Sequence, residues 1–469
     1  SLQTVASCAY MIMAGQAGQV AGFLRPGMSL GAGTWGALGG TVLFLLAGFF
    51  CSRPAAPTPG WVRLRRGGGL LLALALALAL APGVCDALLE GAQKESQQDR
   101  NDRLGVLAGL YSAAVSPAME RPVAYSQERM EQILEELEDS AAPAAESGVK
   151  PDVVLLLSES FFDPTRLTGV EFDADPIPNF RALAREFPTG TFLSNTYAGG
   201  TGNVEMELFT AIPSAFLGAG ESITTLSDAG AYARLPTLPR AFAGQGYETI
   251  FVHSYSDSLY NRARNIPAVG FDQVVFQEDF LTPWAMEGGY VSDDTLTSEI
   301  LARLDQAEGP VFLYAMSMEN HQPYFAGKFD DPSPVSFTAP ALNREGREAL
   351  DALTCGLNRA DAALGRLVEA LSARERPTIL VFAGDHLPGM SLADGSTVYT
   401  ALGCTSTPDT ALWEPEELKR MHSTDFLVWN NYGAQLEPAR EVSCTGLGAA
   451  LLDWAGLSKP LYYHWVSAA

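Results

Sequence analysis

From Asp152 onward the chain alternates short apolar runs with longer stretches in which apolar residues recur every three or four positions. The runs are Val153–Leu157, Thr249–Val252, Val311–Met316 and Thr378–Phe382. The longest helical stretch lies near Arg344–Ala373, where Leu350, Leu353, Leu357, Leu364, Leu367 and Leu371 keep one apolar face. Strands separated by helices predict an α/β domain with a mostly parallel sheet flanked by helices. Beyond Gly395, Val398–Cys404 and Thr424–Trp429 predict two further strands and Gly446–Ala455 a final helix, read as the closing part of the core with a small C-terminal subdomain. Trp429, Trp454, Trp465, Tyr462 and Tyr463 are expected to pack rather than bind.

The pattern upstream is different. Leu30–Phe50 and Gly67–Leu89 are nearly uncharged over about 20 residues, the length that spans a hydrocarbon core. Both are predicted to be transmembrane helices, and 5–24 is a third candidate. A signal peptide is the competing reading, disfavoured by the internal position of the Leu/Ala run at 70–81. Because the chain opens with Ser, further sequence and spans are expected before it. Residues 91–150 are polar and Ala-rich, with Met130, Ile133, Leu134 and Leu137 at helical spacing, and predict a juxtamembrane helical linker. The expected organisation is therefore a membrane region at 1–90, a linker at 91–150, a catalytic core at 151–395 and its closing part at 396–469.

Charge orients this layout. Residues 1–90 hold five basic side chains and two acidic ones, so of the net −24 the remainder carries −27. Arg53, Arg63, Arg65 and Arg66 cluster between the two spans, which the positive-inside rule places in the cytoplasm. Everything after Leu89 then lies outside a multi-pass cell-membrane anchor. So acidic an external part disfavours nucleic acid as a partner, because phosphates need basic patches. Of six cysteines, Cys355, Cys404 and Cys444 fall in the external part; no CxxC spacing signals zinc or a dithiol, and one disulfide is permitted but unassigned.

The residues that follow the apolar runs carry the chemistry. They are Ser158-Glu159-Ser160, then His253, then Glu319-Asn320-His321, then Gly384-Asp385-His386. In open α/β sheets ligands bind beyond the carboxyl ends of the strands, so these clusters are expected on one edge. Thr201 is expected to join them. It sits between glycines in Gly199-Gly-Thr-Gly202, where Asn203 is read as the cap of a helix whose Met206, Phe209 and Ala211 turn inward. A hydroxyl there lies beside free backbone N–H groups that favour phosphate or sulfate. An ordinary Gly-rich turn is the alternative.

Glu159, Asp385 and His386 form an oxygen-and-imidazole set suited to Mn²⁺, Mg²⁺ or Zn²⁺. Thr201 is the candidate fourth ligand and nucleophile, because a bound cation lowers the pKa of a coordinated hydroxyl. Each residue has a plainer reading: Glu159 as a helix cap, His386, His321 and His253 as structural histidines, Arg262 as a surface residue. Three of only five histidines follow these strands, and Arg suits bidentate phosphate contact.

Taken together, these residues resemble the lipoteichoic acid synthase group of membrane-anchored phosphoglycerol transferases, within the alkaline phosphatase and sulfatase superfamily. The likeness covers most of Pro151–Gly395. Leu157-Ser-Glu-Ser-Phe161 resembles the first metal motif and implies Glu159 as a ligand. Gly200-Thr201-Gly202 resembles the nucleophile loop, and Gly384-Asp385-His386 resembles the last metal motif. Asn320-His321-Gln-Pro-Tyr324 and His253 with Tyr260-Asn261-Arg262 resemble the segments that contact the substrate phosphate, implying His321, His253, Tyr260 and Arg262 as substrate-binding residues. The resemblance implies a sulfatase-like fold, one divalent metal with Mn²⁺ favoured, phosphatidylglycerol as donor, and a polymer, glycolipid or glycan hydroxyl as acceptor. The sequence departs from the group at Tyr260, where Trp is common, and in its acidity, which leaves the acceptor open. No cysteine begins the C-x-P-x-R of true sulfatases, and the carboxylates for a phosphatase's second metal are not placed. A phosphoethanolamine transferase or phosphodiesterase on the same scaffold, and a membrane-anchored binding protein with a dead site, are the alternatives.

Overall fold

The computed structural model describes residues 124–140, 148–216, 224, 232–437 and 440–468. The predicted spans, the candidate at 5–24 and linker residues 141–147 lie outside these. Among the described residues no helix is long and apolar enough to cross a membrane. The linker helix is present as α1, Gln127–Ser140; Met130 and Leu134 on its apolar stripe stay exposed, and Ile133 and Leu137 are half-buried.

The core is an eight-stranded sheet. In chain order its strands are β1 (Asp152–Ser158), β2 (Thr189–Leu193), β3 (Glu248–His253), β4 (Gln273–Phe276), β5 (Val311–Met316), β6 (Thr378–Gly384), β7 (Ser423–Asn430) and β8 (Glu441–Ser443). Their spatial order is β8-β2-β7-β6-β1-β5-β3-β4. The stretch from β6 to β4 is parallel, β7 runs antiparallel to both β6 and β2, and β8 is parallel to β2. The four apolar runs and Thr424–Trp429 are found as strands, and β1, β5 and β6 are buried along their whole length. Continuous apolar runs are what a parallel sheet covered on both faces requires.

Helices cover the two faces. The longest, α2 (Arg344–Ser372), begins at Asn343, whose side chain accepts from the Gly346 N–H at 2.8 Å, and buries all six predicted leucines. Beside it lies α3 (Asp293–Gln306), capped by Ser292. Against the opposite face, Phe209, Phe251, Phe271 and Tyr314 form an aromatic cluster with centroid separations of 4.8–6.3 Å, edge-to-face except for the stacked pair Phe251–Tyr314. Phe209 belongs to α4, the helix Thr201–Thr210, which is thereby anchored on the sheet.

Two expectations are corrected. Val398–Cys404 is not a strand: Val398–Ala401 is a short helix, because Thr397 accepts the Thr400 N–H at 3.0 Å and Gly403 turns the chain at φ 71°. Cys355, Cys404 and Cys444 are all buried and free, so the permitted disulfide is absent among them. Residues 396–469 do close the sheet, through β7, β8 and the helix Cys444–Trp454, but they pack in one compact unit with the core rather than as a subdomain apart. Trp429, Trp454 and Tyr463 are buried packing residues, Tyr462 is half-buried, and Trp465 is exposed.

Candidate active site

Register places the site. Ser158 of β1 pairs with Gly384 of β6, and Leu157 with Met316 of β5, so Glu159, Asp385 and Ser317 leave the same edge side by side. Gly384 is needed there for space rather than for an unusual backbone angle: a Cβ on it would lie 1.8 Å from the Phe161 carbonyl oxygen. Ser160 adopts φ 55°, a left-handed conformation that costs a residue with a side chain and recurs at functional sites. In return its N–H reaches Asp385 Oδ1 at 2.8 Å. The His386 N–H donates to the same oxygen at 2.8 Å. Asp385 is thus clamped by one oxygen and presents the other inward.

That inward oxygen, Oδ2, accepts the Thr201 hydroxyl at 2.7 Å and lies 3.2 Å from His386 Nε2. Thr201 Oγ1 is 3.4 Å from the same nitrogen, and Glu159 Oε1 is 3.9 Å from it. Glu159 is held through its N–H, which donates to Ser317 Oγ at 3.1 Å, while Oε1 accepts from Ser160 Oγ at 2.8 Å. Its other oxygen, Oε2, is buried without a partner. Burial and the adjacent Asp385 carboxylate push the Glu159 carboxyl well above the usual range.

These features fit a divalent cation. Ligand atoms of Glu159, Asp385 and His386 all lie within 4.8 Å of one another, and among the described residues they form the single such group. Two buried carboxylates and an imidazole, one oxygen orphaned, suit Mn²⁺, Mg²⁺ or Zn²⁺ without choosing between them.

Thr201 opens α4, as expected of a nucleophile beside helix N–H groups, but the cap differs from expectation. Gly200 is the cap residue at φ 94°, and Asn203 sits in the first turn with its N–H on the Gly200 carbonyl at 2.7 Å. Met206, Phe209 and Ala211 are buried as predicted. Gly202 lets Tyr260 approach, since a Cβ there would meet the Tyr260 ring at 2.6 Å.

The predicted phosphate-contacting residues gather beside this group. Tyr260 and Asn261 take left-handed backbones, φ 58° and 56°, and so turn Arg262 inward. The Arg262 guanidinium is 2% exposed, lies 5.1 Å from the Tyr260 ring centroid and leaves Nη1 without a partner. His253, at the end of β3, is fully buried with both ring nitrogens unpartnered; burial and Arg262 push its pKa well below normal. His321 Nδ1 lies 2.6 Å from the Gln322 carbonyl and 3.0 Å from the Tyr290 hydroxyl, and burial lowers its pKa to about 4. The charges felt by His321 include those of His386, Lys328 and Arg262, so the two groups share one electrostatic environment.

Several participants escaped the sequence reading. Glu205 accepts Arg262 Nε at 2.8 Å and the Tyr314 hydroxyl at 3.0 Å. Lys328 is buried among the rings of Tyr290, Tyr324 and Phe329 and donates to the His321 carbonyl; burial lowers its pKa to about 8. Glu319, by contrast, was expected among the clusters that follow the strands; it is tied to Arg359 and accepts the Asp293 N–H at 2.6 Å. The one available signal was Glu205, four residues after Thr201 on the same helix face.

Comparison with known proteins gives the family and the fold. The model of the sulfatase family matches residues 151–457. A putative cyclic beta-1,2-glucan modification protein of Rhizobium meliloti is 33% identical over 67% of this chain and 47% of its own length. The chain thus spans about half the length of the curated relatives it matches. Among solved structures, the phosphoglycerol transferase GacH of Streptococcus pyogenes, in complex with sn-glycerol-1-phosphate, superposes with a TM-score of 0.59 at 24% identity, covering 75% of this chain and 87% of that one. The lipoteichoic acid synthase LtaP of Listeria monocytogenes superposes with a TM-score of 0.51 at 17% identity, covering 69% and 78%. These two likenesses are of fold, and the fold expected from the motifs is the one found. With the family model matched over residues 151–457, well over half of its length, the chain belongs to the sulfatase family.

Proposed function

We propose that the protein is a membrane-anchored, extracellular, metal-dependent phosphoglycerol transferase that moves glycerophosphate from phosphatidylglycerol to an acceptor hydroxyl. The observation that carries this reading is the Thr201 hydroxyl, 5% exposed and 2.7 Å from Asp385 of the candidate metal-ligand group, with Tyr260 packed against the adjacent Gly202 and Arg262, its Nη1 buried and unpartnered, 5.1 Å from the Tyr260 ring. A threonine at that point is a nucleophile for phosphorus, and a guanidinium beside it is a donor for the phosphoryl oxygens.

Glu159, Asp385, His386 and Thr201 would hold one divalent cation, with Mn²⁺ favoured. When bound, it supplies positive charge that lowers the pKa of the threonine hydroxyl and balances the phosphoryl charge. Thr201 Oγ1 attacks phosphorus, an O–P bond forms and the bond to diacylglycerol breaks. The proton given up by Thr201 ends on the diacylglycerol hydroxyl. Arg262 and His321 hold the phosphoryl oxygens, with His253 and Tyr260 behind them. An acceptor hydroxyl then repeats the displacement and frees Thr201. Among polymer, glycolipid and glycan acceptors we favour a glycan, a reading supported by the glucan modification named for the Rhizobium meliloti relative. The two apolar stretches at 30–50 and 67–89 would hold the site near its lipid donor.

The test is release of diacylglycerol from head-group-labelled phosphatidylglycerol by the full chain with Mn²⁺. Release from phosphatidylglycerol and not from phosphatidylethanolamine is expected. The reverse preference would move the donor, and no release from either would remove the transferase reading.

A further inference from the structure

Glu205 is a buried acidic side chain to which the proposed reaction gives no task. It is 1% exposed and is not one of the residues whose ligand atoms cluster at the Glu159 group; its oxygens face other partners, Oε2 the Arg262 Nε at 2.8 Å and Oε1 the Tyr314 hydroxyl at 3.0 Å. Burying an ion pair gains little stability over an apolar pair of similar volume, so stability alone is a poor reason for placing one here. Geometry gives a better one.

Glu205 lies four residues after Thr201 and four before Phe209, so the three share one face of α4. Phe209 packs edge-on against Tyr314 at 4.8 Å, and Tyr314 also holds Glu205. The helix that carries the nucleophile is therefore tied to β5 through Tyr314, the residue that also fixes one oxygen of the carboxylate. Arg262 has one guanidinium edge on that carboxylate and, at Nη1, a buried donor with no partner. The guanidinium is planar and rigid, so fixing the Nε edge fixes where Nη1 points.

We infer that Glu205, steadied by Tyr314, is a positioning residue that sets the free donor of Arg262 in register with the Thr201 hydroxyl, so that nucleophile and oxyanion donor are placed by one helix. The inference rests on the phosphoryl-transfer reading and adds a residue to it. Glu205 does not touch substrate; it acts through Arg262.

A double-mutant cycle tests this on the full chain with Mn²⁺, using E205Q, R262A and the pair. Two quantities are read: kcat/KM for diacylglycerol release, and affinity for inorganic phosphate by calorimetry. E205Q is expected to lower both by about tenfold in the native background, a fraction of the loss from removing an oxyanion donor outright, and by less than about twofold when Arg262 is already Ala. Mn²⁺ affinity should stay within about twofold, since no metal-ligand contact changes. Tyr314→Phe should move both readouts in the same direction by a smaller factor, and it carries the same cycle should E205Q fail to fold. Equal losses in both backgrounds, or a parallel fall in Mn²⁺ affinity, would show a general structural role and overturn the inference. If the native chain bound phosphate but released no diacylglycerol, the donor reading would fail while the phosphate cycle still decided the role of Glu205.

Discussion

The candidate metal-ligand group and the proposed phosphate-facing group lie side by side, yet they are built differently. Glu159, Asp385 and His386 are placed by main chain: β1 and β6 fix their register, and the N–H groups of Ser160 and His386 clamp one Asp385 oxygen. Arg262 is placed by side chains from far along the sequence, and His321 by the Tyr290 side chain together with the neighbouring Gln322 carbonyl. Glu205 is 57 residues from Arg262 and 109 from Tyr314, and Tyr290 is 31 from His321. A ligand set held by strand register is insensitive to its neighbours' side chains, whereas a donor held by other side chains fails one contact at a time.

The largest effect that separates the two groups is metal removal. Chelation should abolish turnover, and Mn²⁺ at about 100 times its Kd should restore it while raising stability by about 2.7 kcal/mol. Glu159→Gln should erase that stabilisation, and Arg262→Ala should keep it, as read by thermal melts with and without Mn²⁺. Arg262→Ala should instead lower kcat/KM by about 10² to 10³, the cost of a lost oxyanion donor. A comparable loss of Mn²⁺ stabilisation in Arg262→Ala would merge the two groups into one.

Next in size is the backbone contact under Asp385. Gly384→Ala would set a Cβ 1.8 Å from the Phe161 carbonyl oxygen, and neither strand can yield without moving Asp385. A stability loss of about 3 kcal/mol is expected, with weakened Mn²⁺ binding, by denaturant titration and calorimetry. Normal Mn²⁺ affinity in this variant would contradict placement by strand register.

The smallest effect belongs to Lys328 on the phosphate-facing side. Its pKa falls from 10.5 to about 8 on folding, because burial disfavours the ammonium. Between those values the unfolded chain binds more protons than the folded one, so stability rises with pH there and the penalty is fully felt below about 8. Relative to Lys328→Met, the native chain should gain stability from pH 8 to 9 by at most about 1.4 kcal/mol. A flat difference would place the ammonium in contact with solvent.

What was legible in the sequence follows the same division. The strand ends and the leucine face of α2 were readable because period and burial are local, and the clustering of Glu159, Asp385 and His386 because each stands next to a strand end. The stretch at 398–404 was misread because β-branched and aromatic residues also suit a four-residue helix once Thr397 caps it. Asn203 was a plausible cap, but Gly200 at positive φ starts the helix earlier. Glu205, Tyr314 and Lys328 could not be assigned, since no spacing rule joins a helix carboxylate, a mid-strand tyrosine and a loop lysine to partners elsewhere in the chain.

The central claim is that Thr201 carries the transferred group. The most direct measurement is the mass of the Thr201-containing peptide after the full chain, with Mn²⁺, is mixed with phosphatidylglycerol and quenched in acid. The account predicts a glycerophosphate adduct on Thr201 that is absent in Thr201→Ala and disappears when an acceptor is added. Diacylglycerol release with no adduct on Thr201, or undiminished release by Thr201→Ala, would contradict it.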